Sequence, residues 1–404
     1  YYRLSSSCRS CNSNRDGYSH RNSGDCMSKL NVDTIEPEGA TTTLTLGASG
    51  DTVALGTGAG VNFRSSRNMV INGAMQISQR GTSTTTAGFI VDRIESGVSA
   101  VDELVCTYSQ DSSGADGFAN SYKINVDTAE SAIAVDEYQR VTYKIEAQDC
   151  QNLKYGNASA ESVTLSFHVK SNVTGTYAFC IFGDDGSRLI GGTYTISSSA
   201  TWEKKTLTFA GDTAGTMNDD NGSGLRLCFW LIAGTNFTSG STNTSWMAST
   251  TASTAYGHAV NLGSAINNYW QVTGIQLEIG SVATPFEHKT FGQELAACQR
   301  YYFLGGAGNY GMFNAATTIE ISVPYPVKMR TTPSFSLAKT SFTISNKTAG
   351  TTAAQTSVTV VNHSGDATGS FYSQIGNAGT SLSASAGDVA QFRVGEFLAF
   401  DAEL

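Results

Sequence analysis

The chain has 404 residues, enough for two or three domains on a scale of about 150 residues each. Only 15% of it is charged, against about 25% in ordinary globular chains, and Gly, Ser and Thr are abundant, a chemistry suited to β-strands and tight turns. With 25 basic and 34 acidic residues the net charge is -9 and no window carries a basic stripe, which argues against nucleic acid as a partner; no run of about eighteen apolar residues exists to cross a membrane.

Residues 1–26 are polar and aperiodic, and no charged-then-apolar leader opens the chain, so no signal peptide is expected. They read as a disordered or spurious upstream extension, with Met27-Ser28-Lys29-Leu30 resembling an ordinary translation start. Cys8, Cys11, His20 and Cys26 have a spacing able to hold zinc, but a lone CxxC without flanking apolar residues has no mini-core around the metal, and none is assigned. Residues 27–66 contain short alternating pieces, Leu44 with Leu46 and Val53 with Leu55, between Gly-rich turns. Each piece is too short to fold alone. Several chains wound about one axis would stabilise them, so the segment reads as the thin β shaft or attachment segment of an oligomer, most naturally a trimer; a flexible linker is the alternative.

From Asn68 strand-like runs follow one another, joined by Asn, Asp, Gly and Ser. Val163, Leu165, Phe167 and Val169 alternate with Thr164, Ser166 and His168, the period of a half-buried strand, which puts His168 on the solvent face. Trp202 opens a run with Leu207 and Phe209, and Trp202, Trp230 and Trp270 are all read as core. Regular strands without intervening helices predict an all-β protein, with an antiparallel two-sheet jelly-roll sandwich over 67–290. Cys106, Cys150, Cys180, Cys228 and Cys298 sit mostly among apolar neighbours and are expected as buried thiols rather than a disulfide framework.

The sandwich is expected to close with a strand at Val272–Ile279, in which Ile275, Leu277 and Ile279 alternate with Gln276 and Glu278 before Gly280 ends it. Pro285 holds Thr284 extended, and Phe286 is free to plug the sandwich edge. Thr290-Phe291-Gly292-Gln293 has the spacing of a capping box and predicts a connecting helix over 291–303, with Glu294 and Arg300 placed to complement its macrodipole. Phe291, Leu295, Cys298 and Tyr302 fall on one face of that helix. So short a helix is marginal alone, so the stripe should pack either on the sandwich or about a threefold axis, as a junction or oligomerisation element. Residues 304–404 read as a small C-terminal β domain with Pro324, Pro326 and Pro333 at edges or strand ends, closing in a paired strand after Phe397, Leu398 and Phe400.

Three stretches carry a resemblance: NMVINGAMQISQRGTS from Asn68, TLSFHVKSNVTGTYAF from Thr164 and TGIQLEIGSVATPFEHKTFGQELAACQRYYF from Thr273. Together they resemble tail fibre proteins of tailed bacteriophages, particularly marine ones, which commonly begin with a segment similar to Met27–Val53. The sandwich also looks like carbohydrate-binding-module jelly rolls, whose last strand often reads QLE-x-G followed by ATPF. The resemblance covers nearly all of 27–404, and 1–26 departs from it. It implies a virion component made in the host cytoplasm, a homotrimer joined to other phage tail proteins, with residues 304–404 as a distal tip that meets a bacterial surface glycan or protein.

Motifs for chemistry are lacking. The stretch GAGVNF at 58–63 has neither the Lys-Ser/Thr nor the following helix of a phosphate loop, no G-x-S-x-G elbow occurs, and the histidines are scattered. Glu278, Glu287 and Glu294, or the loops Asp184-Asp185 and Asp219-Asp220, are the carboxylates available for sugar cleavage or calcium, and each has an ordinary strand, cap or turn role instead. No catalytic residue, cofactor or metal is therefore expected. Aromatic rings remain as sugar contacts: Trp246 in a polar loop, and Tyr310, Phe313, Phe371 and Tyr372 in Gly/Ser/Asn-rich turns, with structural packing the competing role for each. The expectation is a non-enzymatic receptor-binding fibre; a polysaccharide depolymerase and a secreted carbohydrate-binding module are the alternatives.

Overall fold

The computed structural model describes residues 66–99, 102–305, 310–315, 318–338, 342–355, 359–365, 370–376, 384–392 and 398–404, all within one compact unit spanning 64–404. The extension with Cys8, Cys11, His20 and Cys26, and the shaft segment up to residue 65, lie outside the described residues.

The sandwich is built from β1 (Ser83–Thr84), β2 (Glu95–Ser99), β3 (Val105–Asp111), β4 (Ser121–Thr128), β5 (Tyr138–Glu146), β6 (Val163–Ser171), β7 (Gly175–Gly183), β8 (Arg188–Ile196), β9 (Glu203–Phe209), β10 (Ser223–Ala233), β11 (Met247–Ala248) and β12 (Tyr269–Ile279). One sheet runs β1-β3-β4-β12-β6-β9 and the other β11-β8-β7-β10-β5-β2, with antiparallel neighbours throughout. The chain stays in one sheet only from β3 to β4, β7 to β8 and β10 to β11 and changes sheet at every other step, which is the jelly-roll winding the strand pattern predicts.

Between the sheets, Val163, Leu165, Phe167 and Val169 of β6 and Trp270, Val272, Ile275 and Leu277 of β12 meet Leu225, Leu227, Phe229 and Leu231 of β10, all essentially without solvent access. Phe167 meets Phe229 edge to face at 5.1 Å. Each such side chain contributes about 1.5–3 kcal/mol relative to exposure. A bulge in β12 between Thr273 and Gln276 shifts the inward positions from Trp270 and Val272 to Ile275 and Leu277. Gly274 makes it possible: its φ is +63° and a Cβ there would lie 2.6 Å from the Phe118 ring. The strand therefore starts at Tyr269, three residues before the alternation becomes readable at Val272.

Glutamates of the terminal motif act as clamps. Glu287 accepts hydrogen bonds from the backbone N–H groups of Ser66 and Asn68 (2.9 and 2.8 Å), while Glu278 accepts from the backbone and hydroxyl of Thr284 (2.8 and 2.6 Å). The helix spans Phe291–Gln299 behind a complete Thr290–Gln293 capping box. Its buried side is Glu294, Cys298 and the following Tyr301, offset from the expected stripe. Glu294 takes this place because its carboxylate accepts the Asn72 backbone N–H at 2.7 Å. Phe291 is 61% exposed, Leu295 half-buried, and Tyr302 belongs to a strand, so the four residues do not share one packed helix face. The five described cysteines are all buried and free.

Beyond the helix come β13 (Tyr302–Gly305), β14 (Tyr310–Ala315), β15 (Thr318–Pro324), β16 (Ser334–Leu337), β17 (Phe342–Asn346), β18 (Thr351–Gln355), β19 (Thr359–Gly365), β20 (Ser370–Gly376), β21 (Val389–Phe392) and β22 (Leu398–Asp401). They form a three-stranded sheet, β13-β22-β16, and a seven-stranded sheet, β18-β17-β21-β14-β15-β20-β19. Phe313, Ile319, Val323, Met329, Ile344, Leu398 and Phe400 make their core. The last residues reach back to the sandwich: Arg80 pairs with Asp401 at 3.1 Å, and the fully buried Arg93 pairs with Glu403 while lying 3.5 Å over the Tyr301 ring. Burial opposes the Arg93 charge, but Glu403, Tyr143 and Tyr301 outweigh it and raise its pKa.

Candidate functional site

A crevice lined by Phe89, Arg93, Glu95, Thr142, Lys144 and Leu404 has no room for a water-sized guest and is no small-molecule pocket. The better candidate is the partly exposed end of the outer face of the sheet that contains β12, a strand whose outward residues from Gln271 onward are themselves buried.

Strand parity selects its residues. Because Trp270 and Val272 point inward, Tyr269, Gln271 and Thr273 point outward; the same rule puts out Lys123 and Asn125 of β4 and His168 and Lys170 of β6. In the ladder Gln271 stands between Lys123 on one side and Lys170 on the other, and Thr273 stands opposite His168, which in turn faces Lys204 of β9. Trp202, just before β9, completes the row: the Lys170 ammonium lies 4.9 Å over its ring. On the other flank the Lys123 ammonium lies 5.3 Å over Tyr269. Lys123, Lys170, Trp202 and Tyr269 are half-exposed and Lys204 is exposed.

One end of this face is roofed. Phe118 sits over Gly274 and His168, with ring centroids 5.3 Å apart, and Phe286 packs edge-on to Phe118 at 5.0 Å, the plugging role its position after Pro285 suggested. Under this roof Thr273 and Gln276 are buried. His168, expected on the open solvent face, is thus half-covered; burial first and Lys204 second lower its pKa, so the ring is neutral near pH 7. Burial also lowers the pKa of Lys170, with Asp111 opposing and Lys123 adding to the effect. Rings at the exposed end with ammonium groups around them can take the C–H face of a sugar and its polar rim.

The residues expected from sequence as ligand contacts lie elsewhere. Trp246 is held structurally: its indole N–H donates to the Ala210 carbonyl at 2.7 Å and its ring meets Tyr155 edge to face at 5.5 Å. Phe313 is 0% exposed at the centre of the C-terminal core and cannot touch a ligand, because the alternation of β14 turns it inward while its neighbours Tyr310 and Met312 are 59% and 51% exposed. The Tyr310 hydroxyl accepts from the Gln391 amide at 3.0 Å. Phe371 and Tyr372 stand in β20 opposite Val323 and Ser322 of β15. None of these joins the Tyr269–Trp202 face. Trp202, read from sequence as core, is the correction with most consequence: it lies an odd number of residues before Leu207 and Phe209, and only Phe209 and its parity partners face inward. That parity was available in the sequence and marks Trp202 as outward.

No family model matches the chain, and no curated protein is similar to it in sequence. Among solved structures, the enzymatically active domain of bacteriophage CBA120 tailspike protein 4 overlaps 53% of this chain at 13% identity with a TM-score of 0.29, but the chain spans only 21% of that protein. A CBM4 structure overlaps 52% of this chain and 98% of its own length at 11% identity and TM-score 0.27. The family 11 carbohydrate-binding module of Clostridium thermocellum, solved with a β-1,3-1,4-mixed-linked tetrasaccharide, overlaps 50% and 97% at 13% identity and TM-score 0.26. Overlaps this slight do not carry a function to the present chain.

Proposed function

We propose that the chain is a structural and receptor-binding component of a phage tail fibre, with residues 67–290 as a glycan-binding sandwich. The observation that carries the binding role is the partly exposed end of this sheet face, where Tyr269 and Trp202 stand beside Lys123, Lys170 and Lys204. A flat, ring-bearing strip suits an extended polysaccharide better than a small metabolite, for which a concave pocket is the norm. The terminal motif from Gln276 to Glu287 serves to clamp the fold rather than to bind, since its carboxylates are spent on backbone donors. This favours a binding protein over a hydrolase.

In this reading residues 27–66 form the attachment segment, 291–303 the junction and 304–404 the distal β tip of a homotrimer that works in the virion beside other tail proteins. Three weak faces on one fibre raise apparent affinity through effective concentration. The test is a panel of purified bacterial surface polysaccharides probed with the full chain. Binding that disappears in Tyr269→Ala and Trp202→Ala, with an unchanged melting profile, supports the assignment. Binding that survives both substitutions moves the receptor site to another surface, and release of new reducing ends from a bound polysaccharide replaces the binding-only role with a depolymerase.

A further inference from the structure

We infer that the ligand of the Tyr269–Trp202 face is an anionic glycan, one bearing carboxylate or phosphate groups, rather than a neutral polysaccharide. The inference rests on the glycan reading above and adds the class of sugar. In a chain whose acids outnumber its bases 34 to 25, Lys123, Lys170 and Lys204 gather on β4, β6 and β9, within two neighbouring ladder rows. Asp111, 3.5 Å from Lys123, is the acid that answers them; Asp127, further along β4, is occupied by Thr107 and Asn125 at 2.6 and 3.0 Å. Among the described residues neither Lys170 nor Lys204 has a carboxylate within ion-pair distance.

Lys123 and Lys170 flank β12, so their backbones stand about 10 Å apart, two strand spacings of about 4.8 Å. Gln271, between them, is 2% exposed and donates its amide to the Ser121 hydroxyl at 3.4 Å, so the lysines and not Gln271 supply the polar contacts of the surface. Burial is the largest cause of the lowered Lys170 pKa, Asp111 opposes it, and Lys123 adds the smallest part. A bound anion supplies Lys170 and Lys204 with the counter-charge that no described carboxylate within ion-pair distance gives them, whereas a neutral sugar does not. The rings set where the sugar plane lies, and the ammonium groups decide which sugars it accepts.

The test uses the full chain and a set of acidic polysaccharides, containing uronic acid or phosphate, against neutral ones. The inference expects binding confined to acidic members, weakened at least tenfold between 50 and 300 mM NaCl and at least tenfold by joint Lys123→Gln and Lys170→Gln substitution, with an unchanged melting profile. Neutral polysaccharides bound as tightly as acidic ones, or affinity indifferent to salt, would overturn the charge inference and leave the glycan reading standing. Absence of binding to every polysaccharide would remove the glycan reading itself.

Discussion

Replacing Arg300 by Ala should show how much the contact between sandwich and terminal helix contributes. Glu146, at the end of β5, has no solvent access and accepts two hydrogen bonds from Arg300, Nε and Nη2 both at 2.7 Å, beside the Tyr301 hydroxyl and the Gln148 amide at 2.7 Å. Burial pushes the Glu146 pKa up, but the Arg300 and Tyr301 hydrogen bonds outweigh it and hold the pKa below the usual value. Breaking a buried pair by removing one partner costs about 3–5 kcal/mol. Arg300 is 26% exposed and Tyr301 and Gln148 remain, so the low end applies, about 3 kcal/mol or roughly a hundredfold in the unfolding equilibrium. Urea denaturation at pH 7 measures it. The sign with pH is fixed: in the natural protein the carboxylate contributes above its ordinary value of 4.5 and that contribution is lost as pH falls through the lowered folded value. In the variant the unpaired buried group prefers its proton, so the gap between the two proteins should close toward acid. A loss under about 1 kcal/mol at pH 7, or a gap that stays constant with pH, would refute this account of the junction.

Phe313→Ala should cost about 3–5 kcal/mol in thermal or urea unfolding, whereas Tyr310→Ala, at an exposed ring three strand positions away, should stay within about 0.5 kcal/mol. Thr290→Ala removes the helix cap and should cost about 1 kcal/mol, read by the same unfolding curves; no change would mean the box is not formed in solution. The His258 pKa is lowered to about 4 by burial, against the opposing pull of the Leu231 and Val260 backbone, and Nδ1 accepts the Ala178 N–H at 3.2 Å. Its neutral form therefore supports the fold fully above the ordinary value of 6.5, and stability should fall as pH drops from there toward about 4, a slope that His258→Gln abolishes. Finally, for the homotrimer proposed above, Phe291→Asp, on a ring 61% exposed at the helix start, should lower the mass seen by light scattering from trimer to monomer without lowering the melting temperature; a natural protein of monomer mass would remove that proposal, and a trimer mass kept in the variant would remove the helix as its contact.

The strands of the sandwich were readable because period two is a local property: Val163 to Val169 shows it without any tertiary information. The cap at Thr290 and Gln293 was readable for the same reason. What sequence could not show were pairings between distant residues. Arg93 with Glu403, Arg80 with Asp401 and Glu146 with Arg300 join residues 154 to 321 positions apart, and no local pattern marks either partner. Such partners explain why Glu294 displaced an apolar residue from the buried side of the helix. The binding face failed for a different reason. A Gly-rich stretch around an aromatic residue such as Phe313 looks like a loop although β14 buries that ring, and the apolar run after Trp202 suggests core although its parity sets it outward. The β12 bulge at Gly274 hid Tyr269 and Gln271 by breaking the alternation that would have set them outward.

The central claim, that the outer face of this sheet receives a surface glycan, is tested most directly by isothermal titration of an acidic bacterial surface polysaccharide into the natural protein and into the Tyr269→Ala, Trp202→Ala double variant. The account predicts measurable binding to the natural protein and a loss of at least tenfold in the variant with its melting temperature kept. Equal affinity for the two proteins would contradict it.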